Sequence, residues 1–258
     1  MQVSQSNLAS YLGWAKQLYL LPNQQHINAA FFTSVGFDLT YTSLFLPLVS
    51  GGTVYPHDGF EIDPLATLNN IFSTSEINFV KLTPAHIHLI NNIEQAQRTT
   101  KTLIVGGEQL TTSTAHLLAQ KVSEGSQLFN EYGPTEATIG CIIYKVSGNE
   151  LSANIPIGKV CQNMKALVLD ENQNEVPQGV IGELYLSGAQ IAHGYEDEPT
   201  QTAAKFIKIT QKGDAVFYKT GDLVRVNQGF DFEFIGRSDS QLKIGSRRVE
   251  KEEIEHAL

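Results

Sequence analysis

The chain has 258 residues, long enough for one large core or two modest ones, and its 41% hydrophobic and 17% charged residues with 21 glycines are those of a globular protein, neither disordered nor fibrous. A formal net charge of -9, from 18 Lys and Arg against 27 Asp and Glu, gives a surface field that repels nucleic acid, and no run of about 18 apolar residues is present to span a bilayer. Cys141 and Cys161 stand far apart outside any C-x-x-C, and the N-terminus has no basic segment followed by an apolar one, so neither a disulfide framework, a thiolate metal site nor a secretory signal is expected, and the expected location is cytoplasmic.

In chain order, hydrophobic periodicity predicts a helix from Leu8 to Leu21, a strand from Ala29 to Phe32, a helix from Tyr41 to Val49 and a strand from Thr53 to Pro56. A helix after Asp63-Pro64, a strand from Phe79 to Leu82, a helix opened by Pro84, a strand from Thr102 to Val105 and a helix from Thr111 follow. Strands alternating with helices require βαβ crossovers, so residues 1–160 are expected to form an α/β unit, a mainly parallel sheet flanked by helices. Beyond Gly140 the helical signal fades. Strand-like segments at Ala166 to Leu169, Gly182 to Leu186, Val216 to Tyr218 and Asp231 to Ile235 are separated by Gly, Pro and Asn turns, which predicts a small β-barrel-like subdomain over 161–236. From Arg237 the pattern breaks again into a basic strand and the start of an acidic helix (Glu250, Glu252, Glu253, Glu255), a third unit over 237–258 whose charges read as a solvated face.

The most specific string is Asn130-Glu131-Tyr132-Gly133-Pro134-Thr135-Glu136. Tyr132 offers a flat face on which a base can stack, the Gly-Pro turn lets backbone amides approach a phosphate, Thr135 can donate to a phosphoryl oxygen, and Glu136 can hold Mg²⁺. By itself the string is also what a plain strand-to-loop turn looks like. Four further strings lie in fixed order around it: Phe37-Asp38-Leu39-Thr40 upstream, Gly182-Glu183-Leu184-Tyr185-Leu186-Ser187-Gly188 running on to Gly194-Tyr195, then Tyr218-Lys219-Thr220-Gly221-Asp222-Leu223, and Gly236-Arg237-Ser238-Asp239-Ser240-Gln241-Leu242-Lys243-Ile244. Together they resemble the core motifs of the amino-acid adenylation domains of nonribosomal peptide synthetases, within the adenylate-forming superfamily that also holds acyl-CoA synthetases and luciferases.

The resemblance implies a fold, the second half of the large adenylation core followed by the β-rich subdomain and the start of a C-terminal lid. It implies an activity, ATP- and Mg²⁺-dependent formation of aminoacyl-AMP, and partners, a peptidyl carrier protein bearing phosphopantetheine and other synthetase domains. It assigns Tyr132 and Gly133 to the adenine site, Asn130 and the loop at Gly107 to the adenine edge, Thr135 to phosphate, Glu136 to magnesium, Asp222 and Arg237 to the ribose hydroxyls, and Asp239 to the hinge before the lid. An Asp-Arg salt bridge at a domain edge is the plainer reading of Asp222 and Arg237. Departures at Gly245-Ser246 and Lys251-Glu252 weaken the match around the hinge.

Asp38 separates amino-acid activators from fatty-acid and aryl activators, because a buried carboxylate needs a cation and an α-ammonium supplies one; Asp38 can also cap the following helix. The family's pocket positions fall on Asp38, Leu39, Thr42, Lys81, Ile104, Gly106, Glu131, Ile139 and Gly140, a set that resembles the asparagine code. A carboxamide needs one donor and one acceptor, which Lys81 and Glu131 provide, while aspartate would meet Glu131 as a like charge. Asparagine is therefore expected, with aspartate second; alternatively Lys81 and Glu131 simply pair with each other. His86 and His88, two apart on a helix, point to different sides and make poor metal partners. The phosphate loop expected just before Val3 and the lid lysine expected beyond Leu258 are absent from the chain, so low activity of this piece alone, a noncatalytic or split-domain binding role, and an acyl-CoA synthetase relative stay open as alternatives.

Overall fold

The computed structural model describes residues 1–21, 24–90, 101–209 and 212–239, together with the backbone of two short strands at Leu242–Ile244 and Arg247–Val249. The acidic cluster at Glu250 to Glu255 and the departures at Gly245-Ser246 and Lys251-Glu252 lie outside the described residues.

Helix α1 (Gln5–Tyr19) begins three residues before its apolar periodicity does, because its start is polar. Ser4 accepts from the Asn7 amide at 3.2 Å while the Asn7 side chain accepts from the Ser4 amide at 2.9 Å, a reciprocal cap that satisfies two orphan donors. The Asn7 amide group then reaches across the chain to the carbonyls of Ala189 and Ile191. There follow β1 (Ala29–Phe31), α2 (Leu39–Ser50), β2 (Val54–Pro56), α3 (Pro64–Ser73), β3 (Phe79–Leu82), α4 (Pro84–Ile90), β4 (Thr102–Gly106), α5 (Thr112–Ala119), β5 (Gln127–Tyr132), β6 (Ile142–Lys145) and β7 (Lys159–Val160). Asp63 and Thr111 cap α3 and α5 through their side chains, as residues of these types do at helix starts.

The seven strands form one sheet in the order β2-β1-β3-β4-β5-β6-β7. Pairing is parallel from β2 to β5 and antiparallel from β5 through β7, so the fold class is α/β as expected. Alternation along the central strands sorts the core. Val80, Leu82, Leu103, Val105 and Leu128 pack with Leu68, Ile71, Ile87 and Leu118 beneath α3, α4 and α5. Phe79, Ile104 and Phe129 point the other way, against Tyr11, Ala15, Tyr19 and Leu46 of α1 and α2. Lys81 and Glu131 follow the same alternation and therefore project into this second apolar layer.

The barrel-like subdomain is a five-stranded antiparallel sheet: β8 (Met164–Leu169), β9 (Gly182–Gly188), β10 (Phe206–Lys208), β11 (Val216–Val226) and β12 (Phe232–Arg237), with helix α6 (Pro199–Lys205) leading into β10. The sequence predicts a strand ending at Tyr218, yet β11 continues to Val226. Its register with β9 shifts between Lys219 and Leu223, where Gly221 adopts φ 77°, so the Thr-Gly-Asp string sits in a bulge inside the strand instead of ending it. β13 (Leu242–Ile244) and β14 (Arg247–Val249) form an antiparallel hairpin. None of the described helices is long and apolar enough to cross a membrane.

The two sheets share a core of Ile142, Cys141, Met164, Val168, Leu184, Leu186 and Val224 and are stitched where Gly158 and Phe232 exchange backbone hydrogen bonds of 3.1 and 2.7 Å. Gly158 has φ 97°, and a Cβ there would fall on the Ile143 carbonyl. Gly158→Ala is therefore expected to destabilise the chain by about 2–4 kcal/mol, read as a lower denaturant midpoint with the cooperativity of unfolding as a check on whether the two sheets still melt together.

Candidate active site

A cleft of about 1190 Å³ opens at the carboxyl ends of the parallel strands, where ligands of open α/β sheets bind. The loop after β1 and the start of α2 supply Phe37, Asp38 and Leu39; the start of α4 supplies His86; Gly107 follows β4; Gly133, Pro134, Thr135, Thr138 and Ile139 follow β5; and the small sheet contributes Tyr218, Thr220, Asp222 and Arg237. Of the residues singled out from sequence, the fold brings Asp38, Leu39, Gly107, Gly133, Thr135, Ile139, Asp222 and Arg237 to this wall. Thr42, Lys81, Ile104, Gly106, Asn130, Glu131, Tyr132, Glu136 and Gly140 are not part of it.

On the small-sheet side, Asp222 is buried and both of its oxygens already accept a hydrogen bond. The Tyr132 phenol donates to one of its oxygens and Arg237 donates to the other at 2.6 Å. Burial and the Asp222 charge push the Tyr132 phenol well above its usual range, so it stays a donor. Arg237 spans the bulge: it reaches the Thr220 carbonyl at 3.2 Å and grips both carboxylate oxygens of Asp239 at 2.7 Å each. The salt bridge anticipated as the plainer reading of Asp222 and Arg237 is present, and it leads directly to Asp239.

The residues after β5 divide their tasks. Asn130 donates to the Pro156 carbonyl at 2.8 Å, which anchors the loop before β7. Glu136 is buried, with Oε1 accepting from the Tyr195 hydroxyl at 2.6 Å. Thr138 and Ile139, both β-branched, take positive φ of 56° and 72°, a conformation that costs energy and persists where the surroundings over-determine it.

Asp38 occupies the cap position of α2 but makes no capping hydrogen bond, because its own backbone is already helical at φ -65°, ψ -25°. Its Oδ2 is buried with no hydrogen-bond partner among the described residues. Burial raises its pKa; a hydrogen bond from Thr135 and the Lys81 charge pull in the opposite direction. The carboxylate is thus left for the cleft. His86 lines the same cleft, stacked against Phe32 and Phe60, with Nδ1 accepting from the Thr83 amide. Burial lowers its pKa to about 4, so the ring is neutral near pH 7. Among the described residues no group of three His, Cys, Asp or Glu is placed to hold a metal, and both cysteines are buried free thiols.

Beyond Asp38, in the apolar layer between α1, α2 and the sheet, lies a closed polar cluster. Lys81 and Glu131 form an ion pair in which each side chain is only 2% exposed. Lys81 also donates to the Thr42 hydroxyl at 2.8 Å. Tyr11 meets Thr42 at 2.7 Å and donates to Glu131 at 3.2 Å, and Tyr19 donates to Glu131 Oε2 at 2.5 Å. Burial, then the Glu131 charge, pushes both phenols well above their usual range. The strand between the pair contributes Gly106 at the register of Glu131, where a Cβ would crowd the Glu131 backbone carbonyl, and a Cβ on Gly140 would strike the Glu131 carboxylate itself; both pocket positions are glycine because Glu131 fills their space. Sequence reasoning did not reach Tyr11 or Tyr19, and it met Tyr195 only as the end of a motif, with no role. The available signal for the first two was a pair of phenols on the buried face of an amphipathic helix.

The model of the AMP-binding enzyme family matches residues 2–196. Bacitracin synthase 3 of Bacillus licheniformis is 38% identical over 263 aligned positions covering 100% of this chain, and tyrocidine synthase 3 of Brevibacillus parabrevis is 35% identical over 257 positions covering 99% of it. The chain spans only 4% of the length of each of those two proteins. Among solved structures it is similar to the Vibrio cholerae adenylation domain AlmE, determined in complex with glycyl-adenosine-5'-phosphate, with a TM-score of 0.85 and 26% identity over 98% of this chain and 48% of that one. A four-domain nonribosomal peptide synthetase bound to AMP and glycine matches with a TM-score of 0.80 and 30% identity over 98% of this chain and 19% of that one.

Because the ion pair is buried, breaking it from one side leaves an uncompensated charge. Lys81→Met or Glu131→Gln alone is expected to cost roughly 3–5 kcal/mol, whereas the double variant costs clearly less than the sum; denaturant unfolding of the three variants checks this.

Proposed function

The chain belongs to the AMP-binding enzyme family, and from that premise we propose that it activates an amino acid by adenylation, with asparagine as its substrate and aspartate a poorer second. In this reaction the substrate carboxylate attacks the α-phosphate of MgATP, pyrophosphate leaves, and the aminoacyl-AMP passes its acyl group to the phosphopantetheine thiol of a peptidyl carrier protein within a nonribosomal peptide synthetase. The observation that carries the reading is the buried Lys81–Glu131 pair lying beyond a partnerless Asp38 carboxylate oxygen at the cleft. An α-ammonium would give Asp38 the cation it lacks. A side chain extending from there toward the pair would meet a donor and an acceptor, which a carboxamide matches and an alkyl or aryl group does not.

The remaining roles follow the chemistry of each position. Asp222, backed by Arg237, would accept from ribose hydroxyls, with Gly107 and Gly133 on the adenine side and Asn130 and Tyr132 supporting that side from behind the cleft wall through Pro156 and Asp222. Thr135, on the wall beside Asp38, would donate to a phosphoryl oxygen, where fixed donors stabilise developing charge. Mg²⁺ is usually held by one or two carboxylates together with substrate phosphates. Glu136, a single buried carboxylate steadied by Tyr195, fits an ion that arrives with the triphosphate. Residues 1–160 would then be the adenylation core, 161–236 the β-rich subdomain, and 237–258 the hinge, at Asp239, and start of a lid.

The test is amino-acid-dependent ATP–pyrophosphate exchange with all twenty amino acids, run on the chain and on the chain joined to an upstream phosphate loop and a downstream lid. Exchange highest with asparagine is expected, and Asp38→Ala is expected to lower kcat/KM by about 100-fold or more, the loss of a charged, desolvated contact. Exchange with a different acid would remove asparagine and keep adenylation; none with any acid would remove both.

A further inference from the structure

The polar cluster around Glu131 contains two residues from outside the strands and helix that carry the rest of the pocket. Tyr11 and Tyr19 both come from α1, eight residues apart, and both are fully buried. Their rings are fixed by aromatic packing: Tyr19 lies edge-on to Phe129 at 5.3 Å and to Trp14 at 5.7 Å, and Tyr11 packs on Trp14 at 5.9 Å. Two hydroxyls held this rigidly do not follow Glu131. Glu131 has to conform to them.

Counting hydrogen-bond capacity shows what they leave open. An ionised carboxylate offers about four acceptor positions. Lys81 takes one on Oε1, Tyr19 one on Oε2 at 2.5 Å, and the single Tyr11 proton is shared between Oε2 at 3.2 Å and Oε1 at 3.4 Å, so one position on Oε1 is left without a donor of its own. A lysine ammonium has three donors. Lys81 gives one to Glu131 and one to Thr42 at 2.8 Å, and the third finds only the Tyr11 hydroxyl at 3.4 Å. The cluster is therefore short of one N–H donor and one good acceptor, the two groups that a carboxamide carries side by side.

We propose that Tyr19, assisted by Tyr11, is a specificity-positioning residue: by pinning the second oxygen of Glu131 it prevents the carboxylate from turning both oxygens onto Lys81 and so keeps open the donor-plus-acceptor vacancy that selects a carboxamide side chain over a carboxylate. This rests on the reading that the chain activates asparagine. A carboxylate side chain brings no N–H for the vacant acceptor position and meets the like charge of a Glu131 that cannot swing away. With Tyr19 gone, Glu131 can chelate Lys81, the vacancy closes, and the pocket no longer distinguishes the two side chains by hydrogen bonding.

The experiment is Tyr19→Phe, with Tyr11→Phe as the second variant, in the adenylation-competent protein, comparing asparagine and aspartate by exchange kinetics. Phenylalanine keeps the aromatic packing and removes only the hydroxyl, and thermal unfolding of each variant identifies one that has lost its fold, in which case the other carries the test. Tyr19→Phe is expected to raise KM for asparagine by about tenfold while kcat changes by less than about threefold, and to lower the asparagine-over-aspartate ratio of kcat/KM by about tenfold. A general structural weakening would lower both substrates together and leave that ratio intact. If the wild type selects asparagine and folded variants keep the ratio within about twofold, the positioning role is overturned and the asparagine reading stands; if the wild type does not select asparagine, both fall together.

Discussion

A lysine and a glutamate buried against each other in an apolar layer constrain more of this structure than any other contact. Taking two charges out of water costs several kcal/mol per ion, and the pair recovers this only when geometry and further hydrogen bonds are good. Every neighbour of Lys81 and Glu131 answers that requirement. Thr42 and the two α1 phenols satisfy all but one good acceptor for Lys81 and one donor for Glu131. Gly140, with no side chain, leaves room for the Glu131 carboxylate, and Gly106 leaves room for its backbone carbonyl. A layer built only for stability would be served as well by apolar residues of similar volume, so an ionic cluster at this depth, next to a cleft, accords with the recognition role proposed for it.

Much of the fold was legible because it rests on local periodicity. The short apolar strands bounded by turns (β3, β4) and the helices with polar starts or N-terminal prolines (α3, α4, α5) fall where the pattern puts them. The misses share a cause. The start of α1 is defined by a cap between Ser4 and Asn7, both polar, which apolar spacing does not register. β11 runs through Thr220-Gly221-Asp222 because a bulge absorbs the glycine, whereas Gly-Asp by itself reads as a turn. β6 and β7 add antiparallel edges to a parallel sheet, and nothing in a short strand states the direction of its neighbour.

The site was legible in a different way. Fixed-order motifs identified its parts, and the fold brings Asp38, Thr135, Asp222 and Arg237 to one cleft from segments about two hundred residues apart in sequence at the extremes. What the motifs could not convey is connectivity. Asp38 looks like a helix cap and occupies the cap position, but its own backbone is already helical and its side chain makes no capping hydrogen bond. Arg237 looks like half of a salt bridge and is in fact shared between Asp222 and Asp239. The tyrosines of α1 could be placed on its buried face, but their role appears only once the helix is laid across the sheet.

The strained turn after β5 ties these observations together. Thr138 and Ile139 hold positive φ in spite of branched side chains, and such strain persists only when neighbours impose it. Here the impositions can be named. Glu131 requires a glycine at position 140 close against its carboxylate, and the ladder resumes when the Cys141 amide bonds to the Tyr132 carbonyl at 2.9 Å. The chain must therefore leave β5, place Thr135 on the cleft and Glu136 against Tyr195, and return within eight residues to the strand end it left. Thr138 is fastened on the way by its hydroxyl to the Gln190 carbonyl at 2.6 Å, which couples the turn to the small sheet. The energy stored in this turn thus sets the distance between the groups facing the cleft and the buried pair behind them, and a substrate spanning both would meet a geometry fixed before it arrives.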